Sequence, residues 1–191
     1  MKILDLFAGL GGWSNCWREA GHEVTTVDLD PRFNPTHCMS VEDFHAHAGQ
    51  YDIILASPPC TEFSRWTMRG MNRVLRERHE AGLLERPSLH LVQETWRVIL
   101  ECQPAAWVIE NVHGSPQFIS KILGPHRGVW AKRYLWGNFP ELGPIAHSTR
   151  LKMSMSSTWV AQRSEIPPEL AQAVMQACLT GSQQEEMRFE G

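Results

Sequence analysis

Apolar and polar positions alternate between two periods along this chain, and the switches between them predict the order of elements. Ile3 to Phe7 is a short apolar run with one carboxylate inside it, Asp5, and it predicts a buried strand. A glycine-rich turn follows, then a short helical stretch closing at Gly21, then a second strand over Glu23 to Asp28. Together these form a βαβ unit. Tyr51 to Ser57 predicts another buried strand, Leu89 to Cys102 a helix entered near Pro87 and Ser88 and stopped at Pro104, and Ala105 to Glu110 a further strand. Strands alternating with helices predict an α/β fold, a doubly wound and mostly parallel sheet.

Length limits what this pattern can build. A chain of 191 residues with 42% apolar residues predicts one domain, residues 1–180, with Gly181 to Gly191 as a loose tail. No apolar stretch reaches the roughly 20 residues that cross a bilayer, and Met1 to Phe7 lacks a cleavage pattern, so the expectation is a cytoplasmic protein with no membrane partner. The five cysteines contain no C-x-x-C pair, which predicts free thiols rather than disulfides or a zinc site. His45, His47, His37 and Cys38 lack further ligands at metal-binding spacing, so no metal is expected.

Charge alters the picture more than its net value of -3 suggests. Residues 1–60 carry three basic side chains against eight acidic ones, whereas Arg65 to Arg86 contains six arginines. Lys121 to Arg163 holds seven basic residues against Glu141 alone. Such asymmetry can form a cationic face suited to phosphate backbones, although charge runs also serve simply to solvate a surface.

Three motifs carry chemistry. In Asp5-Leu6-Phe7-Ala8-Gly9-Leu10-Gly11-Gly12 a strand hands over to a helix through glycines, which lets backbone N–H groups approach a ligand. Asp28 closes the next strand, placed to accept hydrogen bonds from ribose hydroxyls, and Phe7 offers an aromatic face. Ser57-Pro58-Pro59-Cys60 follows a buried strand, where two prolines stiffen the support of a thiol at the edge where open parallel sheets gather their chemistry. Glu110-Asn111-Val112 closes another strand with a carboxyl that partial burial can turn into a proton donor near neutrality. Each has a plain structural reading, as a tight turn, a buried cysteine or an ion-pair partner; it is their arrival on one sheet edge that points to a site.

In this combination and order the sequence resembles the DNA cytosine-5 methyltransferases, in a minimal, phage-type form. Tyr134 to Phe139 and Ile166 to Ala171 are similar to the family's later strand region and last helix. The resemblance implies a Rossmann-like methyltransferase fold, S-adenosylmethionine as cofactor and DNA, most simply duplex, as partner, in a restriction-modification or phage setting. It implies Cys60 as nucleophile and Glu110 as the group acting on N3 of the base. It also implies Phe7, Ala8, Gly9, Gly11, Gly12, Asp28, Leu29, Ser57 and Pro59 around the cofactor, with Val41 and Asp43, beside Ser40, near its adenine. The family's Arg-x-Arg pair is replaced by Trp130-Ala131-Lys132-Arg133, so both Lys132 and Arg133 are candidates to hold the cytosine carbonyl.

The segment from Thr61 to Pro87, with Arg65, Arg69, Arg73, Arg76, Arg78 and Trp66, corresponds in the resemblance to the family's closing loop, with Gly70 and Gly82 as hinges or equally as ordinary loop glycines; an amphipathic helix over Asn72 to His79 is the structural alternative. About 25 residues separate Pro140 from Ile166, too few for a recognition domain. The expectation is a very short target preference, or recognition by a partner subunit or through self-association. RNA, single-stranded DNA and a free cytidine nucleotide remain alternative substrates. Other readings are a non-catalytic cofactor-binding subunit and a thiol hydrolase pairing Cys60 with His113.

Overall fold

A computed structural model describes residues 1–64, 73–83, 86–145 and 166–189. Seven strands form one sheet: β1 (Lys2–Leu6), β2 (Glu23–Asp28), β3 (His37–Cys38), β4 (Ile53–Ala56), β5 (Ala106–Val112), β6 (Gly128–Trp130) and β7 (Arg133–Gly137). Their spatial order is β3-β2-β1-β4-β5-β7-β6. The first five run parallel, whereas β7 pairs antiparallel with both β5 and β6. The expected doubly wound, mostly parallel sheet is therefore present, with an antiparallel hairpin at one end. Its chain order reverses between β1 and β4, and at such a switch point the crevice beyond the strand carboxyl ends receives ligands.

The strands form where the sequence is apolar on both faces. Ile3, Leu4 and Leu6 in β1 and all of Ile53–Ala56 in β4 are buried, as expected of central parallel strands. Alternation then divides their side chains between two layers. Leu4, Leu6, Ile54, Ile109 and Trp136 meet α4 (His90–Cys102) and α5 (Pro116–Leu123) on one face. Ile3, Leu55, Val108 and Leu135 meet α1 (Ser14–Glu19) and α6 (Pro168–Phe189) on the other. The short α2 (Thr61–Ser64) and α3 (Arg73–Glu80) lie between β4 and α4 in the chain.

Several boundaries follow from local chemistry. Helix α4 starts at His90, whose N–H is accepted by Ser88 Oγ at 3.3 Å, and ends at Cys102 because Gln103 turns left-handed before Pro104. Strand β5 runs two residues beyond its expected end, since Asn111 and Val112 find partners on β7. Helix α6 begins at Pro168 and continues to Phe189 through the stretch read as a tail; Gln183, Gln184, Glu185, Glu186 and Met187 are all good helix formers.

The β5–β7 pairing depends on Gly137. A Cβ there would lie 2.1 Å from the Trp107 carbonyl oxygen and 2.5 Å from the Phe139 ring, and the Trp107 backbone cannot retreat without breaking the ladder. Asn138 reinforces the same join, accepting from Trp107 N at 2.7 Å and donating to the Ala105 carbonyl at 3.2 Å. Gly137→Ala is expected to cost on the order of 3 kcal/mol in urea unfolding; an unchanged midpoint would mean that the strands are not packed this closely.

Candidate functional site

Every motif of interest reaches the carboxyl edge of the sheet. Beyond β1 the chain turns through Phe7, held at φ 60° although it is not glycine, then Gly9 at φ 50° and Gly11 at φ 81°. Phe7 N and Ala8 N both donate to the Val27 carbonyl, at 2.9 and 3.2 Å, which ties the turn to β2. Asp28, at the end of β2, accepts Gly9 N–H on one oxygen at 2.8 Å and Asp30 N–H on the other at 2.9 Å. Its carboxylate thus shapes the turn while still bordering the cavity. Gly11 needs its positive φ, and an added Cβ would also lie 2.6 Å from the end of the Asn15 side chain.

After β4, the Pro58 carbonyl accepts from Asn111 Nδ2 at 2.9 Å, so the asparagine of the third motif braces the proline turn of the second. Cys60 sits at the entry to α2, where its carbonyl accepts from Ser64 N at 3.0 Å, and its thiol-bearing residue is half-buried against the cavity. Three other cysteines differ. Burial pushes the Cys16 and Cys178 thiols up to about 11 and also raises Cys102, which makes them poor nucleophiles. Cys38 is exposed and does not border the cavity.

Glu110 is 4% exposed. Burial raises its carboxyl above the usual range, while the Arg133 guanidinium and the Ser57 hydroxyl pull it back. Arg133 Nη1 donates to Glu110 Oε1 at 3.0 Å. Antiparallel β7 explains why Arg133 is available: its first residue lies at the edge where the parallel strands end. Lys132 and Ala131, with φ of 68° and 47°, form the two-residue hairpin turn instead, and Lys132 is exposed away from the cavity.

These groups surround one cavity of about 630 Å³, within the range of small-molecule sites. Phe7, Ala8, Gly9, Gly12, Asp28, Leu29, Val41, Ser57, Pro59, Cys60, Glu110 and Arg133 all border it. Gly11, Asp43 and Lys132 do not; Asp43 points to solvent one turn beyond Val41. His113 is also absent from the lining and is near Tyr134 Oη at 3.0 Å, so the structure does not pair it with Cys60. Residues that sequence reasoning passed over include Trp13, Phe33, Met39 and Leu91. Their only signal was apolarity, which core positions share.

Other groups have structural work. Arg97 joins Glu94 and Glu101 at 2.7 Å each, while Glu101 approaches His45 at 3.2 Å, and the His37 ring meets Phe44 in a tilted contact. In the arginine segment, residues 73–80 form a helix with Arg76 and Arg78 exposed and Gly82 at φ 69°. Arg65, Trp66, Arg69, Gly70 and Asn72 lie outside the described residues. Among the described residues, no helix is long and apolar enough to cross a membrane.

Beneath the glycine turn, Asp5 is 1% exposed, and both its oxygens lack a hydrogen-bond partner of ordinary geometry. Burial pushes its carboxyl from 3.8 up to about 7, with Ser14 and Arg18 offsetting part of the effect. The folded chain therefore binds this proton more tightly than the unfolded chain. The resulting stability is complete below pH 3.8 and is lost as pH rises through about 7. Asp5→Asn is expected to match the wild type near pH 4 and to exceed it above pH 7 by on the order of a few kcal/mol. Urea unfolding at several pH values checks this; parallel stability curves for the two proteins would refute it.

A doubly wound sheet thus brings a glycine turn, an acidic strand end, a thiol and a buried acid to the border of one crevice. The chain belongs to the C-5 cytosine-specific DNA methylase family, whose model matches residues 1–117. It is 27% identical over 130 residues to the type II methyltransferase M1.HphI of Haemophilus parahaemolyticus, covering 59% of this chain and 32% of that protein. It is 30% identical over 145 residues to M.XorII of Xanthomonas oryzae, covering 63% and 31%. The chain thus matches about a third of these relatives' length. A solved Entamoeba histolytica methyltransferase, EhMeth, overlays with a TM-score of 0.46 at 14% identity, over 82% of this chain and 57% of that one.

Proposed function

We propose that this chain methylates carbon 5 of cytosine in DNA from S-adenosylmethionine, with Cys60 as covalent nucleophile. The observation that carries the reading is the single crevice bordered by Cys60, Glu110, Arg133 and the glycine turn, in a member of this family. Asp28, Leu29, Phe7 and Val41 are suited to holding the cofactor: a carboxylate for ribose hydroxyls and apolar surfaces for a base. When bound, S-adenosylmethionine supplies an electrophilic methyl group.

Cytosine C5 is a weak nucleophile. The Cys60 thiolate adds to C6 while Glu110 hydrogen-bonds or protonates N3, so that the ring becomes an enamine with electron density at C5. Arg133, in contact with Glu110, is placed to hold the cytosine carbonyl, in preference to Lys132. After methylation, loss of the C5 proton expels the thiolate and restores the ring. In a duplex the base must first leave the stack, at a cost of about a few kcal/mol. The exposed arginines of α3 suit contact with the phosphate backbone and favour a polymer over a free nucleotide.

Target recognition is proposed to be short, or shared with a partner subunit or a second copy. Labelled methyl transfer to duplex DNA, single-stranded DNA, RNA and cytidine nucleotides, assayed in parallel, tests the substrate class. Label at cytosine C5 in duplex DNA is expected, and label in RNA or nucleotide alone would replace DNA as the substrate. A non-catalytic role becomes the better reading if cofactor binds and no substrate is labelled.

A further inference from the structure

After β3 the chain runs from Ser40 to Gln50 without joining the sheet, so the polar groups of its backbone must find partners elsewhere. One face of α4 supplies several of them. His90, Glu94, Arg97 and Glu101 recur at helical spacing and so lie along a single stripe. Arg97 stands at its centre: Nη2 donates to the carbonyls of Val41 at 3.0 Å, Phe44 at 2.9 Å and, more loosely, Glu42 at 3.4 Å. Its Nε and Nη1 are held by Glu94 and Glu101 at 2.7 Å each, and Nη1 also lies 3.1 Å from His45 Nδ1. At the two ends of the stripe, His90 meets the Glu42 carboxylate and Glu101 accepts from Ala46 N–H at 3.2 Å.

The segment gripped in this way is also a wall of the cavity. Met39, Ser40 and Val41 border it beside Asp28, and Met39 N–H donates to the Asp28 carbonyl at 3.1 Å. Val41 and Phe44 are buried in the core beneath. Apolar packing is non-directional, so it draws these side chains inward without fixing the path of the backbone between them. Directed hydrogen bonds fix it.

We propose that Arg97 is a positioning residue for S-adenosylmethionine: by gathering the carbonyls of residues 41–44 onto one guanidinium, it sets the wall against which the cofactor's base lies. The proposal deepens the functional reading, since it rests on Val41 and its neighbours belonging to the cofactor's part of the cavity. Arg97 reaches neither cofactor nor DNA in this arrangement, so its loss weakens cofactor binding and spares the chemistry of Cys60 and Glu110. Lysine is no substitute, because it offers one point charge where a planar fork serves carboxylates and carbonyls together.

Calorimetric titration with S-adenosylmethionine, and hydrogen exchange of the segment without ligand, test the proposal. Arg97→Lys is expected to raise the cofactor Kd at least about tenfold. In methyl transfer to duplex DNA its cofactor KM should rise in step, while kcat at saturating cofactor stays within about twofold of the wild type. Amides of residues 41–46 should exchange faster in this variant before any cofactor is added. Val174→Ala, in the opposite layer of the core, controls for lost stability: it should lower the urea midpoint and leave both Kd and the exchange at 41–46 unchanged. Glu101→Ala frees one side of the fork and the Ala46 N–H, should raise Kd about threefold, and decides the matter if Arg97→Lys does not fold. A Kd within about twofold of the wild type in Arg97→Lys, a rise equalled by Val174→Ala, or a kcat that falls while Kd holds would overturn the proposal. A wild type that binds no S-adenosylmethionine would sink the functional reading itself, whereas a wild type and variants that all bind equally well sink only the role of Arg97.

Discussion

Replacing Cys60 with alanine is expected to lower methyl transfer at least about a thousandfold while leaving cofactor binding within about twofold of the wild type. The size of the loss follows from the chemistry: without a nucleophile at C6 there is no enamine, and C5 cannot take the methyl group. The sparing of cofactor follows from position, because Cys60 lies beyond the proline turn, whereas the glycine turn and Asp28 are held by bonds to each other and to Val27. Kinetics with duplex DNA and calorimetry with S-adenosylmethionine measure the two halves. A variant that keeps most of its activity would remove Cys60 from the mechanism, and one that loses cofactor affinity would make it a structural residue of the pocket.

Glu110→Gln should lower kcat by roughly a hundredfold to ten-thousandfold, the range of a lost general acid. Glutamine retains the size and can still donate a hydrogen bond, but it cannot deliver a proton. The pH dependence is the sharper signature. Burial raises the wild-type carboxyl, so it remains protonated to higher pH than an exposed glutamate, and kcat/KM should fall as pH rises through that raised value. In the glutamine variant this limb should vanish. An identical limb in both proteins would assign it to another group.

The central strands were legible because β1, apart from Asp5, and β4 are apolar on both faces, and the acidic and glycine-rich turns punctuate them. Of the three expected site residues that do not border the cavity, Lys132 owes its place to strand pairing. Lys132 and Arg133 are neighbours of like charge in the sequence; only the two-residue turn, with Ala131 and Lys132 at positive φ, sends one to solvent and the other to Glu110. Pairing of β7 in the opposite sense to its neighbours was not visible either, although it is what brings Arg133 to the working edge. Asp43 was named through the resemblance as lying beside Ser40 near the adenine, whereas the cavity is met there by Ser40 and Val41.

Long-range hydrogen bonds were equally hidden. Asn111 to Pro58 and Trp13 to Ser57 join motifs separated by dozens of positions, and composition offers no trace of them. Gly11 read as a ligand-facing glycine because a positive-φ turn and a close approach leave the same mark; its φ of 81° calls for glycine, and it does not border the cavity. His113 looked available as a base for Cys60 by residue type alone, and the fold turns it toward Tyr134 instead.

The covalent step can be isolated with a DNA duplex carrying 5-fluorocytosine at target sites, because fluorine at C5 cannot leave as a proton and the thiol cannot be expelled after methyl transfer. The account predicts a stable protein–DNA adduct, formed only with S-adenosylmethionine, carrying the added methyl group and mapping by mass spectrometry to Cys60. Adduct formation undiminished in Cys60→Ala, or no adduct from a wild type that binds both cofactor and duplex, would contradict it.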